Sequence, residues 1–235
     1  MLERAIADLG NAKLTTKHYF SYDRSVAIRT KVSGPACQLC AVVAGATRPI
    51  TCWRPAEKVL CMRHRRWIGS ADALQPSLDR QPDILKAHTQ HLRLVRRLGR
   101  EEVTAAFTVA TDICRQWHDH REHDEEFGRR LEIFHGPDWQ VPPYHPTVAA
   151  AVYPQAVALA RLLAAPYWQS LGTDSSAMRG SLFAQEMRRT VAPSYQWPQP
   201  RESKDPLFRW LVGDMRFGRT LRRTGSPPHG LESWD

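Results

Sequence analysis

The chain has 235 residues, enough for one domain of ordinary size and a smaller module, and its 42% hydrophobic and 24% charged residues are typical of a globular protein. No secretory signal is recognisable and no window approaches about 18 uninterrupted apolar residues, which argues against an exported or membrane-spanning protein. The formal net charge of +9 favours polyanionic partners. Five cysteines without an export signal indicate metal ligands or free thiols, so we expect a cytoplasmic protein.

Four regions follow one another along the chain. From Thr15 to Val32 apolar and aromatic residues alternate enough with polar ones to suggest short strands, and four of the five cysteines lie before residue 70. The predicted fold class is mainly α, with an N-terminal zinc ribbon or treble-clef-like module followed by helices and an irregular Pro-rich C-terminal segment. The predicted parts are a zinc-binding module at 1–70, a helical domain at 71–135, a Pro-rich hinge and helical segment at 136–192, and an irregular basic tail at 193–235.

The cysteines of the module have the spacing of a zinc site. Two residues separate Cys37 from Cys40, two separate Cys61 from His64, and 20 residues lie between the two pairs. Two intervening residues allow a tight turn to aim both ligands at one ion, and the longer stretch is expected to form the hairpin that joins the two knuckles. Four protein ligands complete a tetrahedron, so we predict one structural zinc ion without a catalytic role. The alternative is a group of buried reduced cysteines beside a surface histidine.

The residues around these ligands resemble a known family. Cys37-x2-Cys40, then Trp53-Arg54, then Leu60-Cys61-Met62-Arg63-His64-Arg65-Arg66-Trp67-Ile68 resembles the zinc-finger part of TniQ-like proteins, over about residues 35–70. The resemblance implies a zinc-ligand role for the three cysteines and the histidine. It also implies a DNA-binding protein, as in target-site adaptors of transposition and their actinobacterial relatives. The chain departs from the family in two places, because little before Cys37 looks like the usual N-terminal module and no clear second C-x-x-C follows His64.

Two amphipathic helices are predicted after the module. The first, near residues 86–100, has apolar residues at three- and four-residue spacing and ends at Gly99, and Glu101 and Glu102 open the second. The first helix carries no acidic residue, and its arginines form one stripe: Arg93, Arg96, Arg97 and Arg100. A one-sided arginine stripe, a glycine break and a second helix have the outline of a helix-turn-helix motif. The alternative is a solvated charged face.

The C-terminal half is predicted to be helical and then irregular. Pro154 is compatible with the first turn of a new helix, Gln155 to Ala165, and a further helix is predicted from Ser181 to Thr190. Beyond Pro193 we expect irregular structure, with one short helix near Leu207–Leu211. The arginines of this tail are interpreted either as an arm along a phosphate backbone or as part of a disordered terminus.

Histidine pairs provide the remaining candidates for a metal site. His120 and His123 have a spacing that could share an ion, and so do His88 and His91. A metal-dependent nuclease using His118 to Glu126 is therefore one hypothesis, but the mixed charges of that segment favour an exposed helix. No phosphate-binding loop, dinucleotide fingerprint or nucleophile elbow is present, and we predict that the protein is not an enzyme.

These observations predict a zinc-stabilised DNA-binding protein acting in transcriptional control or in mobile-element targeting, and associated with the nucleoid. The alternative is a zinc-ribbon adaptor that docks an acidic protein partner in a larger complex; no membrane partner is expected. The residues predicted to contact nucleic acid are all arginines: Arg63, Arg65, Arg66, Arg93, Arg96, Arg97, Arg100, Arg219, Arg222 and Arg223.

Overall fold

The computed structural model describes residues 30–70, 74–120, 122, 125–143, 145–169, 177–196 and 204–210. Within these ranges the chain is mainly helical, with short strands near the beginning of the described part. The predicted fold class is confirmed.

Two antiparallel pairs of short strands form the described part of the zinc-binding module. One short helix, α1, lies between the strands of the first pair, because the chain turns into a helix directly after Cys37. The bounds of these elements are β1 (Lys31–Pro35), α1 (Gln38–Val43), β2 (Thr51–Pro55), β3 (Leu60–Cys61) and β4 (Arg66–Trp67).

The pairing of these strands differs from the expected hairpin between the two knuckles. The 20 residues between the knuckles contain the second half of α1 and all of β2, and β2 pairs with β1, which precedes the first knuckle. The second knuckle is itself a hairpin, since β3 pairs directly with β4. Of the segment from Thr15 to Val32, in which strands are expected, only residues 30–32 are described, and Lys31 and Val32 lie in β1.

Two long helices follow, separated by a single residue. Helix α2 (Pro82–Leu98) begins with proline at its first position, where the missing N–H has no helical partner, and α3 is Arg100–Asp119. Gly99 joins them with a φ of 90°, a conformation that favours glycine. A helix-turn-helix motif has a turn of about three to four residues. The pair α2–α3 therefore departs from that motif.

Helix α5 is the centre of the helical part and packs against α2, α3 and α4. It is long and apolar enough to cross a membrane by length and composition, but most of its residues are buried by the surrounding helices, as in a core helix. The remaining bounds are α4 (Glu125–His135), α5 (Pro146–Leu163), α6 (Pro166–Gln169), α7 (Ala177–Thr190) and α8 (Pro206–Arg209).

The prediction that a new helix starts after Pro154 is wrong. Pro154 lies inside the continuous helix α5, and its neighbours Tyr153 and Val157 are buried in the core. Proline removes one helical hydrogen bond, and burial of the apolar residues on both sides of it stabilises the helix enough to continue through it. Helix α7 begins four residues before the expected Ser181, and α8 ends at Arg209, two residues before the expected Leu211.

One buried cluster connects the zinc-binding module to the helices. Leu60 and Trp67 of the module pack with Ile84 of α2 and with Tyr153 and Val157 of α5. The edge of the Trp67 ring meets the Tyr153 ring at a centroid distance of 5.2 Å. The module therefore shares a hydrophobic core with the helical part.

Candidate metal centre

Two different backbone turns place the four predicted ligands. Cys37 is the residue before α1 and Cys40 lies in its first turn, so a helical turn brings both sulfurs to one side. Cys61 ends β3, and His64 lies in the four-residue turn that leads into β4. Arg65 closes that turn with a φ of 45°, which a non-glycine residue adopts only in tight turns. The Cβ vectors of both knuckles converge as a result.

The distances between the donor atoms match a tetrahedral zinc site. With metal–sulfur and metal–nitrogen bonds of normal length, tetrahedral ligands are about 3.8 Å apart for two sulfurs and about 3.5 Å apart for sulfur and nitrogen. The Cys40 and Cys61 sulfurs are 3.7 Å apart, and the Nδ1 atom of His64 lies 3.5, 3.2 and 3.7 Å from the sulfurs of Cys37, Cys40 and Cys61. A disulfide would need about 2.05 Å. Among the described residues, only these four form a group of this kind.

The surroundings of the clustered thiols shift the pKa values of Cys40 and Cys37 in opposite directions. Burial and the neighbouring Cys61 and Cys37 thiols raise the pKa of Cys40 to about 11. Burial also opposes ionisation of Cys37, but hydrogen bonds from the backbone of Cys40 and Leu39 and from the Cys61 thiol outweigh it, and the pKa of Cys37 is lowered. Three thiols at this separation repel one another when ionised, and a divalent cation between them removes that repulsion.

Gln75 holds the two knuckles together. Its amide oxygen accepts from the backbone N–H of Gln38 at 2.9 Å, and its amide nitrogen donates to the Ala36 carbonyl at 2.7 Å. The guanidinium of Arg66, two residues after His64, donates to the Gln75 carbonyl at 2.9 Å. Gln75 is buried, and through these hydrogen bonds it positions Cys37 relative to His64 although it is not itself a candidate ligand. Sequence reasoning missed Gln75, because neither its spacing nor its type marks it as part of a metal site.

Arg54 is a second supporting residue that the sequence did not single out as structural. Its buried guanidinium donates to the Pro35 carbonyl at 2.9 Å and to the Ile68 carbonyl, linking the strand before the first knuckle to the chain after the second. Burial lowers the pKa of this arginine. Gly34 makes room for it, because a Cβ at that position would lie 2.8 Å from the guanidinium.

His88 and His91 form a buried hydrogen-bond network. Both Nδ1 atoms lie close to the hydroxyl of Tyr153, at 3.0 and 2.9 Å. Because that hydroxyl has one proton, it donates to one ring and accepts from the other. Burial lowers the pKa of each histidine to about 4, so both are neutral at pH 7. The hydrogen bonds to Tyr153 satisfy both Nδ1 atoms, so a bound metal ion is not needed to explain why this histidine pair is buried.

The arginines predicted to contact nucleic acid lie in different environments. Arg63, Arg93, Arg96 and Arg97 are exposed. Arg65 is exposed at 3.8 Å from Asp79, and Arg66 is half-buried against Gln75. The three arginines of the tail, Arg219, Arg222 and Arg223, lie outside the described residues.

Arg100 has an internal partner, although it belongs to the predicted stripe. Its guanidinium donates to both carboxylate oxygens of Glu57, with the shorter contact at 2.9 Å. Glu57 is buried and lies in the module, so this ion pair joins the module to the start of α3. This ion pair could not be predicted from the sequence, because the two residues are 43 positions apart and no local pattern links them.

The segment from His118 to Glu126 is only partly described. The His118 ring packs against Phe127 with a centroid distance of 3.6 Å, and Glu126 pairs with Arg129 at 3.0 Å. His120 is exposed at the end of α3, and His123 lies outside the described residues. The described residues of this segment do not form a group of metal ligands.

No protein-family model matches the chain, and the comparisons found neither a similar curated protein nor a similar solved structure. The resemblance to TniQ-like zinc fingers therefore stays a prediction that rests on the residues quoted for it.

Proposed function

We propose that the protein is a zinc-stabilised DNA-binding protein. One structural zinc ion would be held by Cys37, Cys40, Cys61 and His64, and it would fix the two knuckles without taking part in a reaction. The distances between the donor atoms are consistent with this ion, and so are the hydrogen bonds by which Gln75 fixes the backbone around Cys37. DNA is the proposed partner, and the setting in transcriptional control or mobile-element targeting follows from the resemblance to TniQ-like proteins alone.

The observation that carries the proposal is the charge of the zinc-binding module. Residues 30–70 contain seven lysines and arginines and a single acidic residue, Glu57, whose carboxylate is buried against Arg100. Three thiolates and one zinc ion add one net negative charge, which seven cations exceed. The surface of the module is therefore cationic, and a polyanion is the partner that this field attracts.

The exposed side of α2 adds to this field. Lys86, Arg93, Arg96 and Arg97 are all exposed on one helix, whose single acidic residue, Asp83, pairs with Arg130 at its other end. The ion pair between Arg100 and Glu57 brings the cationic end of α2 next to the module. Phosphate contacts from both elements would strengthen binding to the same DNA molecule.

A double substitution tests the proposal. Arg96→Ala with Arg97→Ala should leave the zinc content and the circular dichroism spectrum unchanged, because both side chains are exposed. The affinity for duplex DNA should fall, and the slope of log affinity against log salt should become less steep by about two if each arginine contacts one phosphate. Fluorescence anisotropy with labelled duplex across a salt series measures both quantities on zinc-loaded protein.

The matched control removes the same charge elsewhere. Arg161→Ala with Arg189→Ala changes the net charge equally on α5 and α7, where both arginines pair with Glu186. Its affinity should lie close to that of the unchanged protein. Equal losses in both double variants would mean that only net charge matters, and no loss in the first would remove α2 from the interface.

A protein–protein adaptor is the second candidate, and exposed apolar side chains favour it. Helix α1 leaves Leu39, Val42 and Val43 exposed, with Val42 and Val43 each 67% accessible. Adjacent exposed apolar residues of this kind occur at protein interfaces. Stoichiometric zinc with no measurable DNA binding at low salt would reject the DNA proposal and favour the adaptor.

A further inference from the structure

The outer face of the β1–β2 ribbon presents one large aromatic side chain to solvent. Successive residues of a strand point to opposite faces, and on this ribbon one face is buried and the other is open. Trp53 lies on the open face and is 77% exposed. The other tryptophans within the described residues are buried or half-buried. Lys31, Ser33 and Thr51 share the open face with Trp53 and are exposed, and the half-buried Pro35 and Pro55 complete that face.

The neighbours of Trp53 leave its ring uncovered. Ser33 is its partner across the ribbon, and a serine side chain is too small to cover an indole. A tryptophan has an apolar surface of about 150–250 Å², which is costly to leave in water unless a ligand covers it. Ser33 also lines a groove of about 310 Å³ at the Thr51 end of the ribbon, together with Pro35, Gln38 and Ile50 among others.

The ribbon is held rigidly from behind. Arg54, the next residue after Trp53, points to the buried face and bonds the carbonyls of Pro35 and Ile68. Gly34, on the partner strand, leaves space for that guanidinium. Trp53 is thus presented on a fixed support, which lowers the entropic cost of binding through it.

The charge around Trp53 selects the kind of ligand. Residues 30–56 contain no acidic residue, and Lys31 lies on the same face, opposite Pro55 and diagonal to Trp53. Arg48 is exposed at the other end of the ribbon, just before β2. An exposed aromatic ring with one cation on its own face and a second cation near the other end of the ribbon suits a nucleotide chain, in which each planar base is flanked by phosphates. Base faces are covered in duplex DNA, so only an unpaired base can stack on this ring.

We propose that Trp53 stacks on an unpaired base of single-stranded DNA while Lys31 and Arg48 contact the flanking phosphates. The zinc-binding module therefore binds single-stranded DNA in preference to duplex. This inference rests on the proposed DNA-binding function and names the form of DNA that the module recognises.

The test compares labelled oligothymidylate with a duplex of equal length, by fluorescence anisotropy on the zinc-loaded full chain. Stacking of a base on an aromatic residue contributes about 1–3 kcal/mol, so Trp53→Ala should weaken binding to oligothymidylate by about 5- to 150-fold. Trp53→Phe should retain most of the affinity, and neither change should alter affinity for the duplex. The salt slope should stay the same, because no cation is removed, whereas Lys31→Ala should reduce it by about 0.7.

Tyr167→Ala provides a matched control, because Tyr167 is also an exposed aromatic residue, 64% accessible, and lies on α6. It should bind oligothymidylate like the unchanged protein. Zinc content and circular dichroism would show that the Trp53 variants keep their fold, as expected for a side chain this exposed.

Four outcomes would overturn the inference. Equal affinity of Trp53→Ala and the unchanged protein for oligothymidylate would remove the stacking contact and leave the proposed DNA binding intact. Tighter binding of duplex than of oligothymidylate by the unchanged protein would contradict the preference for single-stranded DNA and would also leave the proposed DNA binding intact. Loss of self-association in Trp53→Ala, seen by analytical ultracentrifugation, would make Trp53 a contact between protein chains. Absence of all DNA binding would reject the inference together with the proposed function.

Discussion

At the scale of single residues, the geometry of the candidate metal centre depends on a few side chains that are not among its four candidate ligands. His64 places its Nδ1 atom within 3.7 Å of all three cysteine sulfurs, and Gln75 fixes the two knuckles that carry them. Arg54 closes the module on the opposite side through two backbone carbonyls. The ligands supply the chemistry of the site, and these two polar side chains supply its geometry.

Replacing one ligand should release the metal. Cys40→Ser removes one thiolate, and three remaining ligands bind zinc far more weakly because the tetrahedron is open. We expect stoichiometric zinc in the unchanged protein after dialysis against a mild chelator, and substoichiometric zinc with faster proteolysis of residues 30–70 in the variant. Zinc is measured by a colorimetric assay and cleavage by mass spectrometry.

Cys52→Ser is the matched control, because Cys52 lies in β2 and is not among the four clustered ligands. It should keep its zinc. Full zinc retention by Cys40→Ser would mean that the clustered residues do not form the metal site.

The clustering of the four candidate ligands could be predicted from sequence, and the residues that support them could not. The two-residue spacing within each pair, Cys37 with Cys40 and Cys61 with His64, is a local pattern. It can be recognised in the sequence whatever the surrounding fold, provided that both turns form. Gln75 acts on the site across a sequence separation of 37 and 39 residues, and the ion pair of Glu57 with Arg100 spans 43. Contacts of this range depend on tertiary packing, which leaves no periodic trace in the sequence.

At the scale of elements, tertiary packing overrides local propensity in α5. Periodicity was sufficient to predict α3 and most of α2, whose apolar faces follow the helical repeat. It failed at Pro154, because a proline signals a helix start locally, whereas the helix continues when both sides of it are buried.

Pro154→Ala should stabilise the protein. Alanine restores the N–H that can donate to the carbonyl of Ala150 and removes the clash of the proline ring with the preceding turn. A gain of about 1–3 kcal/mol in the free energy of unfolding is expected, since interior proline costs about 3 kcal/mol relative to alanine. Urea denaturation followed by circular dichroism measures the change.

Ala158→Pro is the opposite control, because Ala158 is half-buried four residues further along the same helix. It should destabilise by a similar or larger amount. A loss of stability in Pro154→Ala would show that α5 needs proline at this position to pack against α2 and α3.

At the scale of the whole molecule, the module and the helices form one folded unit through a buried polar contact region. Tyr153 of α5 packs against Trp67 of the module. Its hydroxyl forms hydrogen bonds with His88 and His91 of α2. Glu57 approaches from the module and pairs with Arg100 at the start of α3. Its negative charge raises the pKa values of His88, His91 and Tyr153, although burial dominates in both histidines and keeps them neutral.

This contact region makes stability depend on pH. The pKa of each histidine is about 4 in the folded protein and about 6.5 in an unfolded chain. Between these values the unfolded chain binds more protons, so stability falls as the pH decreases from 6.5 to 4, and the histidines have no effect above that window. From pH 7 to pH 5 each histidine should cost about 2 kcal/mol.

A comparison of slopes isolates this effect from protonation of the zinc ligands, which is common to all variants. His91→Asn replaces Nδ1 by an amide group that can still bond Tyr153 and does not titrate, so the loss of stability between pH 7 and pH 5 should be smaller by about 2 kcal/mol. His120→Asn changes an exposed histidine and should keep the original slope. Urea denaturation at both pH values, with zinc content followed in parallel, measures the slopes. An unchanged slope in His91→Asn would mean that His91 is not held neutral between the module and the helices, and that the contact region does not tie their stability together.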